Sequence, residues 1–191
     1  NALNGRPVVR FASSQQQYLS LPGLMAGATS GEVFVVAKSQ LASSTRNGLW
    51  RFGSSGGLTG YPNPGGGIDD DFGSVATRAF PASRFPINSF NLYNISAGSG
   101  LWRAATNGEP QFETATNTVG FNPNPTLGWN KAGAASDFFD GDVAEIIVFD
   151  RTLTNFEREA VGAYLNSKYA FAPSSVFEKS RPGLPNADSD G

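Results

Sequence analysis

Two segments limit the fold more than any other feature of this sequence. Glu32–Lys38 (EVFVVAK) and Asp142–Asp150 (DVAEIIVFD) are apolar at nearly every position and are bounded by turn-forming residues. Short runs of this kind read as central strands covered on both faces. A chain that repeats such strands needs a layered β architecture to bury them.

The remaining segments agree. Val8, Val9 and Phe11 form one short strand and Tyr18, Leu19 and Leu21 another, with Ser13, Ser14 and Gln15–Gln17 turning between them. Gly48–Gly53 (GLWRFG) alternates, so Trp50 and Phe52 share a face and read as core. Asn91–Ala97 and Leu101–Ala105 flank Gly98-Ser99-Gly100 as a hairpin, and Asn107-Gly108 is a strong signal for a second hairpin returning through Gln111–Thr114. Gly67–Thr77 and Thr126–Trp129 are further strands, and Ser54–Gly67 is a long irregular loop. One helix is expected over Thr154–Tyr169. Thr154 and Glu157 form a capping box, and Phe156, Ala160, Val161, Tyr164, Leu165 and Lys168 form its stripe. Residues 1–172 therefore read as one all-β domain with a C-terminal helix. Residues 173–191, rich in Pro, Ser, Asn and Asp, read as a linker or the start of a following module.

The composition removes several kinds of chemistry. With no His and no Cys, disulfides, thiolate or imidazole catalysis, and Cys- or His-ligated metals are excluded. Any metal would be held by oxygen, which points to calcium. A net charge of −2 gives no electrostatic case for nucleic acid. No apolar run approaches the ~20 residues of a membrane span. The chain starts at Asn1 rather than Met, so a piece of a longer protein is expected.

The C-terminal third carries a recognisable pattern. Phe139-Asp140-Gly141-Asp142 leads into Val143-Ala144-Glu145-Ile146-Ile147-Val148-Phe149-Asp150-Arg151. A helix follows that ends Ala163-Tyr164-Leu165-Asn166-Ser167-Lys168-Tyr169. This resembles the closing motif of bacterial laminin G-like domains, in the concanavalin A-like lectin/glucanase superfamily. Val8-Val9-Arg10-Phe11 with Gln17-Tyr18-Leu19 resembles that family's first hairpin, and Glu32–Lys38 its next strand. The resemblance spans about residues 4–171. Phe149 stands where the family more usually has tyrosine, and the strands between Gly53 and Asn88 match poorly. The resemblance implies an antiparallel two-sheet jelly-roll sandwich that binds carbohydrate or protein in extracellular multidomain proteins. Some superfamily members cleave glycans.

Catalysis would need two carboxylates facing one cleft, ~5–5.5 Å apart for retention or ~6.5–9.5 Å for inversion. The superfamily's glucanases carry theirs as Glu-x-Asp-x-x-Glu on one strand, a pattern absent here. Asp142 and Glu145, three apart, are expected on opposite faces of their strand. Glu145 is expected to be structural, paired with a nearby arginine such as Arg151 or Arg10, or accepting backbone N–H groups. A non-catalytic module is therefore expected, with a glycan or surface-protein ligand. A protein-binding or adhesive spacer and a glycan-cleaving enzyme are the alternatives.

For sugar, the candidates are Tyr61 with Asn63 in the Gly/Pro loop, and Trp102, Trp129 and Asn130 beside turns. Tyr61 is expected to be the most exposed of them. For calcium, one candidate place is Asp69 and Asp71 in the run Asp69-Asp70-Asp71. The other is Asp188 and Asp190 in Asn186-Ala187-Asp188-Ser189-Asp190-Gly191, which fits the opening of a D/N-x-D-x-D-G loop.

Overall fold

A computed structural model describes residues 2–41, 45–56, 59–81, 83–130 and 137–171. Its strands are β1 (Ala2–Leu3), β2 (Arg6–Pro7), β3 (Val9–Phe11), β4 (Leu19–Ser20), β5 (Ser30–Ser39), β6 (Trp50–Gly53) and β7 (Ile68–Asp70). They continue as β8 (Arg78–Phe80), β9 (Asn91–Gly98), β10 (Leu101–Thr106), β11 (Glu109–Thr114), β12 (Phe121–Leu127) and β13 (Gly141–Phe149). A 3-10 turn spans Ser13–Gln15, and the helix α1 spans Asn155–Tyr169. The six-stranded sheet has the order β11-β10-β9-β5-β13-β3, and a three-stranded sheet has the order β4-β12-β6. Strands β1-β2 and β7-β8 form two small ribbons. All of these pairings are antiparallel. Among the described residues the fold is mostly β with one α-helix.

The two continuous apolar strands sit where their sequence requires. β5 lies between β9 and β13 in the large sheet. Its Val33, Val35 and Ala37 face a core shared with Trp50, Phe52 and Leu127 of the small sheet. Its Phe34 and Val36 face a second core closed by Leu153, Leu165 and Tyr169 from the helix end of the chain. The large sheet is thus the middle layer, with helix on one face and strands on the other. Each fully buried Val or Phe in such a layer contributes about 1.5–3 kcal/mol.

The turn chemistry holds the ladder in register. Asn107 and Gly108 adopt φ of 50° and 79° between β10 and β11, the left-handed pair that a two-residue hairpin needs. The helix begins at the expected capping box. Thr154 Oγ1 accepts from Glu157 N, and the Glu157 side chain accepts from Thr154 N. Its buried side is Gly162, Leu165, Asn166 and Tyr169, so the predicted stripe needs correcting. Phe156 is 77% exposed, because the first turn is fastened by Arg158 to the sheet carboxylate Glu32 rather than by apolar packing.

Three further corrections concern strands. The expected first hairpin does not form: β3 pairs with β13 and β4 with β12, so the chain crosses between layers at the 3-10 turn. The strand expected at Thr126–Trp129 starts earlier, at Phe121. Its ladder to β6 skips from Phe121 to Thr126, over Pro123 and Pro125, which have no N–H to donate. Strand β13 carries a bulge between Val143 and Glu145, so Asp142 faces Lys38 and Glu145 faces Val36. Lys38 and Val36 share a face, so Asp142 and Glu145 do as well, against strict alternation.

Candidate functional site

The expected sugar and calcium residues separate into buried and surface groups. Tyr61 is only 3% exposed. Its ring lies 5.2 Å from that of Tyr93, and burial pushes its hydroxyl pKa up. It cannot serve as an exposed platform, because the loop folds inward where Tyr61 N donates to Asn47 O at 2.7 Å. Trp102 is fully buried and donates from Nε1 to Phe72 O at 2.8 Å. Asn130 is fully buried and donates from Nδ2 to Thr59 O at 2.7 Å. Asn63 shapes its own turn: its Oδ1 accepts from Gly65 N at 2.9 Å and Gly67 N at 3.0 Å.

The acidic run is divided among different partners. Asp69 accepts from Arg46 Nη1 at 2.6 Å and Asn63 Nδ2 at 2.8 Å. Asp71 is buried, accepting from Gly53 N at 3.2 Å and Ser55 Oγ at 2.6 Å. Among the described residues no group of three or more acidic side chains is arranged to hold a metal ion. Asp188 and Asp190 lie outside the described residues, as does the segment 173–191. Glu145 is paired, but not with the arginines expected: Lys168 Nζ donates to its Oε2 at 2.8 Å. Arg10 pairs with Asp142 instead, and Arg151 with Glu157.

Trp129 is the expected aromatic that stays near the surface, half-buried at the end of β12. Gly128, at φ +88°, turns the chain there. Its N donates to Leu49 O at 2.7 Å, and its O accepts from Phe139 N at 2.9 Å. The indole stacks on Phe138 with centroids 5.0 Å apart and planes 7° apart. Tyr18 leans on its other neighbours, 4.9 Å from the Trp129 ring and 6.1 Å from Phe138. Tyr18 is 43% exposed, and the adjoining Gln15 and Gln16 are exposed too. Gln17 spends its Oε1 on Ala12 N at 3.0 Å, which closes the turn that carries the tyrosine. The result is a braced aromatic surface edged by neutral amides. Such a surface can stack on the C–H face of a sugar ring while the amides exchange hydrogen bonds with hydroxyls. The sequence places Tyr18 in a strand with Leu19 and Leu21, whereas the structure leaves it just before β4 (Leu19–Ser20). Its exposure follows from β4 lying at the edge of the small sheet.

No protein-family model and no curated relative matches the chain. Solved structures do share its fold. A Trypanosoma rangeli sialidase bound to a difluoro-KDN matches with a TM-score of 0.60 at 10% identity, over 83% of this chain and 27% of that one. The NanB sialidase of Streptococcus pneumoniae matches with a TM-score of 0.55 at 16% identity, over 75% of this chain and 26% of that one. The T. rangeli sialidase in complex with sialic acid gives 0.55 at 12% identity, over 76% and 24%. The chain spans about a quarter of the length of these sialidases, and at this identity the likeness is one of fold.

Proposed function

We propose that the chain is a non-catalytic carbohydrate-binding module of a larger extracellular or cell-surface protein, built as a concanavalin A-like jelly-roll sandwich. The observation that carries this reading is the exposed Tyr18 ring braced by the stacked Trp129–Phe138 pair beside exposed glutamines. The fold likeness to parts of sialidases supports a setting in which glycans are the substrate of the whole protein. Neutral amides around the aromatic surface favour uncharged sugar units. A glycan array with the full chain tests the reading. Binding that disappears in Tyr18→Ala, with near-UV circular dichroism unchanged, supports it. Uniformly negative arrays, with self-association or capture of a surface protein instead, favour an adhesive spacer.

A second reading, a glycan-cleaving enzyme, draws on the names of the structural neighbours. Release of reducing ends or of sialic acid from a polysaccharide panel decides it. Calcium at Asp188 and Asp190 rests on the sequence pattern alone, and calorimetric titration with calcium tests it.

A further inference from the structure

A cleft on the opposite side of the large sheet has a different chemistry from the Tyr18 surface. It lies between α1 and strands β9–β11 and encloses a cavity of about 250 Å³. Its apolar wall is Phe34, Leu92, Ala105 and Pro110, and its charged lining includes Arg103, Glu113, Arg158 and Glu159.

These charges are not equally committed. Arg158 is taken up by Glu32, through Nε at 2.5 Å and Nη2 at 3.1 Å, and by Asn155 Oδ1 at 2.9 Å. Arg103 has no such partner: its Nε is buried with no hydrogen bond. Ser96, directly across the ladder from Arg103, carries a fully buried hydroxyl that is also unpartnered. Two unmet donors thus sit side by side on the sheet face beneath the helix. Buried donors without acceptors are costly, and an acceptor bearing negative charge answers the Arg103 guanidinium, the one of the two that lines the cleft. Burial and the nearby Arg158 charge lower the Arg103 pKa, and a bound anion would offset both effects. Glu113 faces Arg103 across the β10–β11 ladder, yet the two form no ion pair within 4.0 Å. Glu159 comes from the helix wall. An anion alone would meet these two carboxylates, whereas a ligand carrying both charges would satisfy the whole lining.

We propose that this cleft binds a small zwitterion, an α-amino acid with an apolar side chain. The carboxylate pairs with the Arg103 guanidinium, the ammonium lies between Glu113 and Glu159, and the side chain rests on Phe34, Leu92 and Pro110. The volume is below the ~300–1,000 Å³ of sites for drug-sized molecules, which suits a ligand of this size. The site is independent of the Tyr18 surface and needs no catalytic step.

The test is an amide-shift titration of the intact chain with L-leucine, 4-methylpentanoate (leucine without its amine) and 3-methylbutylamine (leucine without its carboxylate). Leucine is expected to move the Gly108 and Gly162 resonances and to bind at least about tenfold tighter than either analogue. Arg103→Gln and, separately, Glu113→Gln are expected to weaken leucine by about tenfold or more. Glu113 is exposed on β11, so its variant keeps the test interpretable if Arg103→Gln does not fold. No shift at Gly108 and Gly162 with leucine at about 20 mM overturns the proposal. So does 4-methylpentanoate binding as tightly as leucine, or leucine binding that survives Glu113→Gln undiminished.

Discussion

Trp50 Nε1 donates to Asp70 Oδ2 at 2.9 Å where both side chains are buried, joining the small sheet to the β7–β8 ribbon through the core. Tyr93 OH at 3.3 Å and Phe72 N at 2.8 Å also donate to this carboxyl. Burial, and next the charge of Asp71, push the Asp70 pKa up to about 7.

A raised carboxyl pKa makes the folded chain hold a proton that the unfolded chain has released. Stability therefore falls as pH rises from about 4 to about 7, by up to roughly 4 kcal/mol for a shift of this size. Asp71, also raised by burial, acts in the same direction. Asp142 and Glu157, whose pKa values are lowered by Arg10 and Arg151, act below that window. Asp70→Asn keeps an acceptor for Trp50 and removes the titration. Urea midpoints at about pH 5 and about pH 8 should differ clearly in the wild type and much less in the variant. An unchanged slope in Asp70→Asn sinks this account.

Glu32 is the second buried carboxylate with a large role. It takes Arg158 on both oxygens, Asn94 Nδ2 at 3.1 Å and Leu153 N at 2.8 Å. Removing it strands a guanidinium that is only 16% exposed. Glu32→Ala should cost about 3–5 kcal/mol. The double variant Glu32→Leu/Arg158→Met should cost less than the sum of its single changes, because it leaves no unpaired charge. Denaturant unfolding of the four chains measures the coupling, and strict additivity would remove the pair from the account.

These two carboxylates also show what the sequence makes legible. The double-faced strands, the Asn-Gly hairpin and the capping box are local signals, and the structure contains each of them. That Glu145 is paired was legible from its apolar neighbours, since an unpaired charge there is costly. Its partner Lys168 was not, because a bulge one residue earlier changes which face it takes, and bulges leave no clear mark in composition. Tyr61 looked exposed because Gly and Pro surround it. Its burial is decided by a backbone bond to Asn47, a contact that sequence spacing does not reveal. Tyr18, the residue on which the proposed function rests, was masked by its apolar neighbours Leu19 and Leu21. Arg103 sits in an ordinary-looking strand, and only its missing partners single it out.

Gly128 sets the position of the Tyr18 surface, and its replacement should disturb that surface. At φ +88° an alanine is strained, and its Cβ would fall 2.5 Å from Phe11 Cδ1. Gly128→Ala should destabilise the chain by about 1–3 kcal/mol and alter the near-UV signal of Trp129. A variant with wild-type stability and spectrum would show that the turn is not constrained in this way.

The proposed glycan surface has a spectroscopic handle that follows from burial. Of the three Trp residues, Trp50 and Trp102 are 1% and 0% exposed, and Trp129 alone is half-buried. A sugar that stacks on Tyr18 should therefore change fluorescence through Trp129. Trp129→Phe keeps an aromatic brace between Tyr18 and Phe138, so it should retain binding but lose the fluorescence response. Tyr18→Ala should lose about tenfold or more in affinity. Its stability should stay within about 1 kcal/mol of wild type, because the ring is a surface one. Trp129→Ala removes the brace itself and should cost about 3 kcal/mol along with binding. If Tyr18→Ala binds glycan as tightly as the wild type, the contact surface lies elsewhere. If the fluorescence response persists in Trp129→Phe, the ligand reaches the interior tryptophans, and the binding surface must be sought over the core between the two sheets.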